Sequence, residues 1–200
     1  MKKFELTSEF ITNIFGTKLF RIKALIEFGN VKAGELGGFT EKEENLSQDG
    51  NAWVYDNARV YGDACVCGDA CVCGDARVHG NARVCGDACV YDNARVYGDA
   101  WVYDNARVYG DACVCGDARV CGDACVYGDA GYATVHGFGS EYRTTTFFKT
   151  KAGDIGVKCG CFYGNLSEFR KKVVETHGET KKAKEYLMLA DLMEFRLTHK

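Results

Sequence analysis

The side chains that could do chemistry here are twelve cysteines and four histidines, together with arginines and tyrosines that recur at regular intervals. The histidines are His79, His136, His177 and His199. A general base must sit in a groove that also holds its substrate. His136, in His136-Gly137-Phe138-Gly139-Ser140, and His79 are the two positions that could supply one. His79 stands where other units of the repeat carry Tyr or Cys, so a tolerated surface variant is the plainer reading and no catalytic residue is assigned. Zinc held by imidazoles from neighbouring coils would need three of them, and two cannot supply the set. The cysteines resemble a metal or disulfide framework until they are plotted: ten of the twelve fall at outward repeat positions. Cys71 with Cys89, and Cys67 with Cys85, stack within the Cα range that a disulfide accepts and could bridge on oxidation. Cys159-Gly160-Cys161 stands apart, with both thiols on one side of an expected strand and His177 sixteen residues on. A C-x-C with one His lacks a fourth zinc ligand, so neither a metal nor a cofactor is expected.

The regular intervals come from a repeat. From Ala52 to Asp129 the chain is 13 consecutive hexads reading Ala-x-Val-y-(Gly/Asp)-(Asp/Asn), as in Ala58-Arg59-Val60-Tyr61-Gly62-Asp63. On an extended strand Ala and Val point to one side and x and y to the other. The closing Gly or Asp tolerates the left-handed backbone that a corner needs. Each hexad is therefore a short strand plus a corner, and an antiparallel meander would need longer strands and varied turns. The outward residues Arg, Cys, Trp, Tyr and His differ by single-base codon changes, which reads as recently copied units drifting where packing does not constrain them.

A small residue, a β-branched residue and a turn at period six resemble the hexapeptide repeat of left-handed parallel β-helices, in which three hexads make a triangular coil. The fold class expected is mainly β: a left-handed parallel β-helix with a small ββαα C-terminal module. Residues 18 apart then stack, placing Val54, Val72, Val90, Val108 and Val126 in one core column. Arg59, Arg77 and Arg95 form an outer column beside Tyr61, His79 and Tyr97. This is the most binding-like coil face, although arginines that offset corner Asp charges and stack on Tyr would look the same. The other faces carry Trp53, Cys71, Cys89, Arg107, Cys125 and Cys65, Arg83, Trp101, Arg119.

Open coil ends expose strand edges that need covers. The organisation expected is an N-terminal β cap with irregular first coils over 1–51, the β-helix over 52–140 and the ββαα module over 141–200. The period slips at Gly131-Tyr132-Ala133-Thr134-Val135, read as a last imperfect coil. Tyr142 to Phe148 and Ile155 to Phe162 read as a hairpin around Lys151-Ala152-Gly153-Asp154. Ser167 then precedes a helix that Gly178 ends. A last helix, about Thr180 to Leu197, places Tyr186, Leu187, Leu189, Ala190, Met193 and Leu197 on one stripe. The tail is non-repetitive, and Phe147, Phe148, Phe162, Tyr163 and Phe195 are aromatics of the kind that anchor interfaces.

Arg21-Ile22-Lys23-Ala24-Leu25, Lys32 to Phe39, Glu44-Asn45-Leu46-Ser47, the hexads and the tail from Val157 to Gly178 together resemble phage and prophage hexapeptide-repeat proteins, which are often labelled acyltransferases on their repeats alone. The resemblance brings no fixed activity with it, and the role expected is a non-catalytic interaction protein of phage or prophage origin that binds and inhibits a host protein. Its alternative is a trimeric acyltransferase with His136 or His79 as base.

Composition sets the remaining bounds. A hydrophobic share of 46% supports a real core, and the net charge of −3 is uneven. Residues 52–129 carry twelve Asp and six Arg, net −6, whereas 141–200 are net +4. No strong nucleic-acid footprint results. No apolar run approaches a membrane span and the first residues do not read as a signal peptide, so a cytoplasmic protein is expected, with a protein partner and homo-oligomerisation.

Overall fold

The computed structural model describes residues 2–139, 141 and 143–198; Met1, Ser140, Tyr142, His199 and Lys200 lie outside the described residues. The hexads form a parallel β-solenoid of triangular section. Strand β1 (Phe4–Thr12) pairs antiparallel with β2 (Lys18–Ala24), and β2 pairs antiparallel with β3 (Leu36–Thr40). Each of the 13 hexads then contributes one strand of two or three residues, β4 (Trp53–Val54) to β16 (Cys125–Tyr127). The register is 18 throughout the hexads: Trp53, Cys71, Cys89, Arg107 and Cys125 stack on one side, Arg59, Arg77, Arg95 and Cys113 on the second, and Cys65, Arg83, Trp101 and Arg119 on the third. The five valines of the expected column pair directly with one another, and each is fully buried.

Most corners carry Gly, and three carry Asp in its place. Asp56, Asp92 and Asp104 adopt φ of 53°, 60° and 59°, the left-handed region. Each carboxylate accepts the backbone N–H one coil on, from Gly74 (3.2 Å), Gly110 (3.1 Å) and Gly122 (3.3 Å). A side chain at Gly74 would bring a Cβ to 3.1 Å from the backbone of Asp92, and each of these three Asp has Gly one coil on, whereas the Gly62, Gly80, Gly98 and Gly116 corner carries Gly at every level. The stacked carboxylates are offset by neighbours: Asn81 donates to Asp99 (2.9 Å) and Lys42 pairs with Asp63 (2.6 Å).

Residues 39–58 make a first coil of 20 residues, two more than the later coils, with β3, Leu46 and β4 on its three sides. Phe39 pairs with Arg59 and Leu46 bridges Val66, a spacing of 20 that hides this turn from a hexad search. Buried Asn45 holds it by donating to the Gly62 and Ala64 carbonyls at 2.9 and 2.8 Å. Counting it, two sides carry five strands each and Leu46 adds a fifth level to the third side, which makes about five turns. Trp53, at an outward position, is fully buried because Phe4 and Phe28 cover its ring edge-on.

The C-terminal module has the expected strands followed by two helices, with four strands in place of two. Tyr132–Val135 is not a coil remnant but β17, the first strand of a four-stranded antiparallel sheet with β18 (Thr145–Lys149), β19 (Ile155–Cys159) and β20 (Phe162–Asn165). The Ile155 to Phe162 strand is split by a turn at Gly160-Cys161. Asn165, not Ser167, caps α1 (Leu166–His177), with reciprocal 2.9 Å bonds to Glu168, and α2 (Lys181–Thr198) packs beside it.

Both faces of this sheet are covered, because successive strand residues point to opposite sides. Phe148 joins the solenoid core and Phe147 joins the core beneath the helices. The sheet satisfies backbone groups at the end of the coil. Thr146 Oγ1 accepts from Arg119 N (3.0 Å), and Tyr132 O–H accepts from Cys115 N (3.2 Å) and donates to Cys113 O (2.7 Å). Among the described residues no helix is long and apolar enough to cross a membrane.

Candidate functional site

The Arg–Tyr face is assembled by the coil register. Arg59, Arg77 and Arg95 are in-register neighbours. Beside them the rings of Tyr61, His79 and Tyr97 form one stack, with centroids 4.8 and 5.1 Å apart and planes within 8° and 1° of parallel. Burial between the rings, followed by the charges of Arg77 and Arg95, pushes the His79 imidazole toward its neutral form. A histidine clasped on both faces makes a rigid ladder and is poorly placed to swing toward a substrate. His136 is exposed on the segment after β17, its Nδ1 3.1 Å from Thr144 Oγ1. His79 follows β8 and His136 follows β17, and His199 lies outside the described residues.

All twelve cysteines are unbridged. Several pair with tyrosines: Tyr97 O–H accepts from Cys113 Sγ at 3.4 Å, and Tyr109 O–H meets Cys125 Sγ at 3.2 Å. Cys71 and Cys73 are outward neighbours of one hexad, and the interaction of their thiols raises the pKa of the former and lowers that of the latter. Burial and the Cys85 thiol push Cys67 up to about 11. Among the described residues no group of three or more His, Cys, Asp or Glu side chains is placed to hold a metal ion.

The tail aromatics divide in a way their sequence did not announce. Phe147 and Phe148 are completely buried, which corrects their assignment as surface anchors: each fills one of the two cores that flank the sheet. Phe162 is half-buried and packs on Phe169 at 5.5 Å, while Tyr163 is exposed against the Gly122 corner. A hollow of about 280 Å³ lies over this core, lined by Cys159, Cys161, Phe162, Phe169, His177 and Tyr186 among others. Thr145 Oγ1 donates to Cys159 Sγ at 3.2 Å and His177 stacks on Tyr186 at 5.8 Å. Cys161, carried on the turn, is exposed, so the C-x-C thiols do not share one strand face as expected.

Phe195, the remaining tail aromatic, belongs to a wider apolar surface on α2. On α2 the buried stripe is Ala183, Tyr186, Ala190, Met193 and Leu197, while Met188, Leu192 and Phe195 lie on the opposite side at 71%, 55% and 64% exposure. Their spacing of four and three was visible in the sequence, but only the position of the buried stripe shows which side faces outward. Leu187 and Leu189 flank the buried stripe, partly covered.

Fold and surface define a parallel β-solenoid repeat protein. A repeat model described as YdcK Beta solenoid repeat matches residues 52–68, 82–98, 88–104 and 100–116. The Escherichia coli (strain K12) protein named "Uncharacterized acetyltransferase YdcK" is 40% identical over 63 residues, which is 28% of this chain and 19% of that protein's length. The chain thus spans about a fifth of the curated relative it matches.

Proposed function

We propose that this chain is a non-catalytic interaction protein, in which the solenoid is the scaffold and the C-terminal helices present the surface that binds a partner protein. The observation that carries this reading is the outward apolar stripe of α2, because residues spaced like Met188, Leu192 and Phe195 are the kind a protein groove accepts from an amphipathic helix. The resemblance to phage and prophage hexapeptide-repeat proteins supplies the setting: the partner is a host protein, which binding inhibits. The stacking of His79 between Tyr61 and Tyr97 and the unbroken register of the hexads support a scaffold role for this part of the chain.

The test is affinity capture from a bacterial lysate with the full chain and with Met188→Glu/Leu192→Glu. A protein retained by the first and lost by the second supports the reading, and an identical captured set contradicts it. Concentration-dependent self-association abolished by the same pair would replace the host partner with a second copy. The name of the Escherichia coli relative favours a second reading, acetyl transfer with His136 or His79 as base. Acetyl-CoA-dependent product formation lost in His136→Ala or His79→Ala would establish it.

A further inference from the structure

We propose that the hollow at Arg83, Trp101 and Arg119 binds a small organic anion, an apolar or aromatic body carrying a phosphate or carboxylate head. The inference concerns the third coil side and does not depend on the α2 surface.

The coil register places Arg83, Trp101 and Arg119 on three successive levels. The guanidinium carbons of Arg83 and Arg119 lie 5.2 and 5.5 Å from the indole ring centre. A guanidinium lying over a ring uses its face for the ring and keeps its N–H donors at its edge, available to an anion. Tyr103 stands nearly perpendicular to the indole, at 85° and 6.5 Å, and the two rings make an apolar corner. Lys158, from β19, and Cys85 complete the lining of a hollow of about 410 Å³. That volume matches a small-molecule site.

The charge balance selects the ligand. The hexad region as a whole is net −6, yet this hollow gathers three cations and one carboxylate, Asp104. Among the described residues Arg83, Arg119 and Lys158 form no salt bridge. Asp104 is occupied at the corner, where it accepts the Gly122 N–H at 3.3 Å. A positive, partly apolar concavity on an acidic solenoid therefore favours an anion with an apolar body.

The chain reports on this site through its own fluorescence, since it has two tryptophans: Trp53 is fully buried and Trp101 is 40% exposed. The full chain would be titrated with phenyl phosphate, and in parallel with inorganic phosphate. We expect a saturable change in Trp101 emission with phenyl phosphate at or below about 1 mM, and at least about tenfold weaker binding of inorganic phosphate. Arg83→Gln or Arg119→Gln should weaken phenyl phosphate binding by about tenfold, and Arg83→Lys by less. Arg59→Gln, on another coil side, should leave it unchanged. The proposal is overturned if no saturable change occurs, if the change survives in the Arg83→Gln/Arg119→Gln double variant with its far-UV spectrum intact, or if inorganic phosphate binds as well as phenyl phosphate.

Discussion

The solenoid and the C-terminal sheet with its helices bury their cores in opposite ways. Along the hexads the interior is Ala and Val repeated level after level, from Ala52 to Val126, and every one is essentially inaccessible. Each level loads its neighbours equally, so stability is spread along the stack. The C-terminal core is built from unlike residues, and its rings converge on Phe169, which meets Phe147 at 6.0 Å, Phe162 at 5.5 Å and Tyr186 at 5.7 Å. Where the core is a copied unit, outward positions can drift among Arg, Cys, Tyr and Trp without harm. Where it is unique, the outward residues are unique as well, and that is where the α2 stripe sits.

This contrast can be broken at several points. The largest effect is expected for Val90→Asp, which buries an unpaired charge in the middle of a core column and should cost about 4 kcal/mol or more in urea unfolding. Phe169→Ala should cost about 3–5 kcal/mol, but locally: hydrogen exchange should speed up in α1 and α2 while solenoid amides keep their protection. Equal loss of protection in both regions would mean that they do not differ in this way. Deleting residues 88–105, one whole coil, should be milder than either. It returns Cys71 to register with Arg107 and Val72 with Val108, and the circular dichroism of the product should remain that of the parent with one coil fewer.

The smallest effect is expected at His79. Burial and two arginines lower its pKa below the usual 6.5, so the unfolded chain takes up the proton first and stability is lost as the pH falls through that value. His79→Tyr, which continues the Tyr61–Tyr97 stack, should remove that acid sensitivity. Relative to wild type it should gain less than about 1 kcal/mol between about pH 7.5 and about pH 5.5. A variant that weakens equally at both pH values would show that the histidine titrates as if exposed.

The solenoid was legible to the level of individual columns because a period of 18 leaves no freedom in which residues stack. The widened first coil was not, since Asn45 and two extra residues break the hexad while preserving the hydrogen-bonding level. Phe147 and Phe148 read as a surface pair because adjacent strand residues point to opposite faces, and in a single-layer reading one face is open. Their burial follows only from the sheet being wedged between coil and helices. Tyr132 looked like a failing repeat because its task, capping the Cys113 and Cys115 backbone, is long-range. The Arg83–Trp101–Arg119 column was readable as a list, whereas its hollow depends on Lys158 arriving from β19.

The scaffold and the presented surface are separated most directly by comparing two variants in the same affinity capture, the 88–105 deletion and Met188→Glu/Leu192→Glu. The chain shortened by one coil should still retain the captured partner, and the full-length chain with two glutamates on α2 should lose it. Retention by the α2 variant together with loss by the coil deletion would contradict the account and move the binding surface onto the solenoid faces.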